Sequence, residues 1–105
     1  GRWESVHMFH HILLMSFLPD TGPEFFARAQ EYVERIKAEC DGVRSYFLAE
    51  NKAGRSDGLT HGIVASFDSS AAHDAYQVSA IHQEMKAFMA TRMARVIVLD
   101  TEQGA

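Results

Sequence analysis

The first long apolar run of this chain is oily on both of its sides. Residues 8–18 read Met-Phe-His-His-Ile-Leu-Leu-Met-Ser-Phe-Leu. In an extended strand, successive side chains point to opposite faces. One face then carries Phe9, Leu13, Met15 and Phe17, and the other Ile12, Leu14 and Leu18. The last apolar run, Val96, Ile97, Val98 and Leu99, is likewise apolar without interruption. Strands of this kind are covered on both faces. The chain has 105 residues, enough for one domain with one core. One layer of helices covers one face, and a second copy of the chain is the natural cover for the other.

The segments between these runs supply the helices. Residues 19–23 (Pro-Asp-Thr-Gly-Pro) read as a turn. Gly22 is suited to the N-cap position with Pro23 in the first helical turn, and Thr21 with Glu24 has capping-box spacing. Phe25, Ala29, Tyr32, Val33, Ile36 and Cys40 form an apolar stripe at helical spacing, with Arg28, Glu31, Glu34, Arg35 and Lys37 opposite. Asp41-Gly42 ends this helix. Residues 43–51 predict a second strand, 52–58 a polar loop with two glycines, and 60–67 a third strand. The stretch 68–70 offers N-caps for a second helix, on which Ala72, Ala75, Tyr76 and Ser79 share a side. A break near 79–81 precedes a further helical segment from His82 to about Met93. Residues 95–100 predict the fourth strand, with 101–105 as a tail. The order βαββαβ specifies an α+β fold of the ferredoxin-like kind: a four-stranded antiparallel sheet with its helices on one face.

Composition removes several classes of function. The net charge is −4 with histidine neutral, and no basic cluster is present, which disfavours nucleic acid and acidic membrane surfaces. No apolar stretch reaches the length needed to cross a bilayer. The single cysteine, Cys40, forms no intrachain disulfide and reads as a packed thiol on the helix stripe. With no signal peptide visible, a cytoplasmic location is the expectation. Residues 1–7 read Gly-Arg-Trp-Glu-Ser-Val-His before Met8 and are taken as an expression-tag leader, which sets Trp3 and His7 aside.

Chemistry is signalled by histidine. His11 shares its strand face with Leu13, Met15 and Phe17, and His61 with Ile63, Ala65 and Phe67. An imidazole on an apolar face needs a partner or loses its charge. The expectation is one shared polar spot in an apolar pocket. His10 and His73 read as exposed. Three histidines from separate elements can converge on zinc. No closely spaced ligand motif is present, however, so neither a metal nor another cofactor is expected.

The ordered set of His11 with the run to Phe17, Gly42 with Val-Arg-Ser-Tyr, Ser56 through Ser69, Ala75-Tyr76 with His82, and Val96 through Asp100 resembles the stress-responsive A/B barrel domain family. The resemblance covers residues 8–102 and implies a dimeric α+β barrel, the homodimer joined through the sheet face. Most of that family lacks a defined activity, and one plant member closes a linear polyketide by aldol-type chemistry. By resemblance to that member, His82 and Tyr76 fall on catalytic positions. His11, His61 and Tyr32 fall on substrate-binding positions. The family often reads His-Pro-x-His after the second helix, whereas this chain reads Ser79-Ala80-Ile81-His82.

Three functions follow as expectations. One is cofactor-free proton transfer on a carbonyl or phenolic compound, as in cyclisation or isomerisation, with His82 as base and Tyr76 as donor. A second is non-catalytic binding of a small ligand, or a structural role in stress. A third is a cofactor-free monooxygenase.

Overall fold

The structure is a computed structural model and describes residues 7–104. Most of the leader read at residues 1–7 therefore lies outside the described residues. The elements are β1 (Met8–Phe17), α1 (Pro23–Glu39), β2 (Val43–Glu50), β3 (His61–Phe67), α2 (Ser70–Gln77), α3 (Ala80–Ala90) and β4 (Met93–Gln103). The strands form one antiparallel sheet in the order β2-β3-β1-β4. This is the ferredoxin-like arrangement, with the second crossover split into two helices.

Local chemistry sets the helix ends. Gly22 is the N-cap of α1 and Pro23 begins the helix, while the Thr21 hydroxyl instead donates to the Leu18 carbonyl at 2.6 Å. Cys40 is the C-cap, and Gly42 turns the chain at φ 79°. A Cβ at Gly42 would stand 2.6 Å from that of Ala72, so a side chain is excluded by space as well as by backbone. Ser69 caps α2 by accepting from Ala72 N, and Ser79 caps α3 by accepting from His82 N.

The core lies between the helices and one face of the sheet. Met15, Ile63, Ala65 and Phe67 from the strands meet Ala29, Val33 and Ile36 of α1, and Tyr76, Ile81, Met85 and Met89 of α2 and α3. The opposite face carries an apolar row that crosses all four strands, Phe47–Val64–Ile12–Leu99, with Leu14 and Ile97 beside it. No helix covers that row: Phe47 is 49% exposed, Ile97 47% and Leu99 54%.

The bounds of α3 and β4 differ from the sequence reading at both ends, α3 beginning at Ala80 and β4 at Met93. α3 stops at Ala90 rather than near Met93. β4 runs on to Gln103, where a tail was expected, because residues 101–103 pair with 8–10 of β1 and His10 Nε2 bonds to the Gln103 side chain at 2.7 Å.

Candidate active site

A cavity of about 500 Å³ opens between α2, α3 and the β1–β4 half of the sheet. Its floor is Leu13, Met15, Val96 and Val98, and its roof includes Met85 and Met89. β4 is the edge strand beyond the helix layer, which leaves Val96 and Val98 about half exposed and the cavity open on that side. One end is polar: His11, Tyr76, Gln77, His82 and Asp100 all line it, and Lys86 stands at the wall.

His82 is the most clearly oriented of these groups. Its Nδ1 lies 3.0 Å from the Gln77 carbonyl, which can only accept, so Nδ1 carries the proton. Nε2 then presents a lone pair. It has no hydrogen-bond partner among the described residues, and the His82 side chain lines the cavity. Burial lowers the His82 pKa below its ordinary value, against the opposing Gln77 bond and with help from Lys86. The imidazole is therefore neutral at neutral pH, in the form a base requires.

The residues before this position read Ser79-Ala80-Ile81, and Ser79 holds the turn that carries His82. Its hydroxyl accepts from His82 N at 3.2 Å and donates to the Tyr76 carbonyl at 2.7 Å. One side chain thus fixes the turn joining α2 to α3 and sets the two rings against each other, with centroids 4.2 Å apart.

Tyr76 does not bond to His82. Its hydroxyl meets that of Tyr46 at 2.7 Å, and Tyr46 also lies 3.7 Å from Met85 Sδ. Burial pushes Tyr46 up to about 12 and Tyr76 further still, so both stay neutral phenols. His11 bonds through Nδ1 to Asp100 Oδ1 at 2.5 Å. A carboxylate can only accept, which leaves His11 Nε2 as the other free nitrogen of the site. His11 and Asp100 are directly opposed in the β1–β4 register.

Two residues from the sequence reading stand elsewhere. His11 and His61 begin their apolar runs alike, but the strands are antiparallel: His11 pairs with Ala65, and His61 with Met15. Four strand residues separate them, roughly 13 Å. His61 stacks on Phe26 at 4.4 Å and lines a second cavity with Gln30, Leu48 and Glu50. Tyr32 is buried against Phe88, with the Arg28 guanidinium 5.6 Å over its ring, and does not line the His82 cavity.

His73 corrects the reading the other way, since it was expected exposed and is 4% exposed. It stacks on Phe9 at 4.4 Å, and its Nε2 lies 3.3 Å from His11 Nδ1. Positions 72 and 73 both flank Tyr76 across one turn of α2, and the sequence reading took only the first as inward. Tyr46, Asp100 and Gln77 were missed as well. Asp100 did carry a signal: it is the one acid closing an apolar run on the face of Val96 and Val98.

Comparisons with known proteins follow this geometry. The family profile for the stress responsive A/B barrel domain matches residues 9–103. A hydroxynitrile lyase from Passiflora edulis has a similar structure, with a TM-score of 0.82 at 14% identity over 91% of this chain and 93% of that one. A dimeric ferredoxin-like protein of unknown function from Thermobifida fusca gives 0.79 at 16% identity over 98% and 97%. A protein of the same family with a ferredoxin-like fold from Mesorhizobium loti gives 0.72 at 16% identity over 90% and 95%. No curated protein matches the sequence significantly. No helix among the described residues is long and apolar enough to cross a membrane. The profile match spans nearly the whole chain, and this protein belongs to the stress-responsive A/B barrel domain family.

Proposed function

We propose that this chain is a homodimer, paired through the apolar row of its sheet, and that its cavity binds a small carbonyl or phenolic compound and moves a proton on it. The carrying observation is the bare Nε2 of a neutral His82 at the polar end of an open apolar cavity. Its volume falls in the range of small-molecule sites, about 300–1,000 Å³. In this reading His82 Nε2 removes a proton from carbon beside the carbonyl or from a hydroxyl. The developing oxyanion needs a donor. Tyr76 supplies it when Tyr46 donates into the Tyr76 oxygen and frees the Tyr76 proton. His11, held by Asp100, orients the substrate. Lys86 favours an acidic group near the mouth. The structural likeness to a hydroxynitrile lyase is compatible with carbonyl chemistry on this fold.

One observation favours the second reading, a binding protein without turnover: the Tyr76 hydroxyl is already bonded to Tyr46. Proton exchange separates the two. β-Ketoacyl and hydroxyaryl ketone compounds are incubated in deuterated buffer, and loss of the α-proton signal is followed by NMR. Wild type should accelerate the exchange of at least one compound, and His82→Ala should abolish the acceleration. Binding of such compounds without accelerated exchange would favour the second reading.

A further inference from the structure

We propose that His11, His73 and Asp100 form a binding site for one divalent transition-metal ion, with zinc the best match, beside the polar end of the cavity. The three residues come from β1, α2 and β4, and their ligand atoms all lie within 4.8 Å of one another. His11 Nδ1 stands 3.3 Å from His73 Nε2 and 2.5 Å from Asp100 Oδ1, and His73 Nε2 stands 4.0 Å from the same oxygen. Ligands about 2.0–2.1 Å from a tetrahedral zinc lie roughly 3.3 Å apart. The observed separations bracket that value. The short one is the hydrogen bond that a metal would replace, and seating the ion asks for side-chain shifts of under about 1 Å.

The donor set suits the ion. Two imidazoles and one carboxylate are a common catalytic zinc set, with the remaining position left open. Both imidazoles are buried, at 5% and 4% exposure, on a strand and a helix whose packing holds them. The Asp100 side chain is 36% exposed and lines the cavity, which gives an entry path. Gln77 lies 3.2 Å from His73 Nε2 through its amide nitrogen. Turned over, its oxygen faces the same point, and the two amide orientations are distinguished only by the hydrogen-bond network. No spacing motif announces this site because the ligands lie 62 and 89 residues apart in sequence.

The proposal does not depend on turnover at His82. It is tested on the full chain, stripped with chelator and titrated with zinc alone by calorimetry and by NMR of the histidine rings. One zinc per chain should bind with a dissociation constant on the order of a micromolar or below. The His11 and His73 ring signals should move while those of His61 stay. His73→Ala should weaken binding at least about 100-fold. Asp100→Asn, nearly the same shape, should weaken it at least about 10-fold. His61→Ala should bind as wild type does. Failure of the wild type to bind would overturn the proposal. So would undiminished binding by His73→Ala, or ring shifts confined to His7, His10 and His61. The wild-type ring signals decide the matter even if a variant fails to fold.

Discussion

Ser79→Ala probes the joint on which the site depends. The Ser79 hydroxyl accepts from His82 N, donates to the Tyr76 carbonyl and lies 3.6 Å from the Cys40 thiol. Loss of an N-cap serine costs about 1 kcal/mol, within a range of about 0.5–2. The Tyr76 carbonyl loses its donor at the same time, which adds about 0.5–1.5 kcal/mol. The variant should therefore be about 2 kcal/mol less stable. For a domain near 100 residues, each kcal/mol lowers Tm by about 4–8 °C, so a fall of roughly 8–16 °C is expected. Chemical denaturation gives the free energy directly. Ser79→Asp keeps the cap acceptor but not the donor to Tyr76, and should recover about half of the loss. A loss under about 0.5 kcal/mol for Ser79→Ala would refute the role assigned to this residue. So would an unchanged His82 ring environment in the folded variant, since the serine is held to aim that ring.

Two further outcomes follow from the same structure. His82 and His61 both have folded pKa values lowered by burial, with Lys86, His11 and His73 acting on the first and Glu50 opposing the shift on the second. The unfolded chain thus binds more protons, and the stability from keeping these rings neutral is complete above about 6.5 and is lost as pH falls through the folded values. Denaturation in the presence of chelator should show stability declining as pH drops from about 7 toward 5, and His82→Asn should flatten that slope. For the dimer, Leu99→Lys at the β4 end of the apolar row should give a folded monomer by light scattering at micromolar concentration. A wild type that is itself monomeric there would contradict the pairing.

The architecture was legible because periodicity reports it locally. The two-faced pattern in β1 announced a sheet needing two covers, and the α1 stripe ends where Gly42 turns the chain. The site was legible only in part. His82 and Tyr76 lie six residues apart and are joined by one short turn, so sequence proximity carried into space. His11 and His61 looked equivalent because each leads a run, yet antiparallel pairing sends such leaders to opposite ends of the sheet. Asp100 meets His11 only through the β1–β4 register, and Tyr46 of β2 meets Tyr76 of α2 only through packing of the helices on the sheet. Neither contact leaves a trace in spacing. Residues 101–103 are polar, and so gave no alternation to mark them as strand although they pair with β1.

The most direct test is the nitrogen NMR spectrum of His82 in the chelator-treated wild type, followed across pH. The structure calls for a neutral ring at pH 7 with the proton on Nδ1, a bare Nε2 and a midpoint below the ordinary histidine value; a compound that binds should then perturb the Nε2 signal most. A ring protonated on Nε2 alone, or charged at pH 7, would remove the base from the cavity and contradict the account.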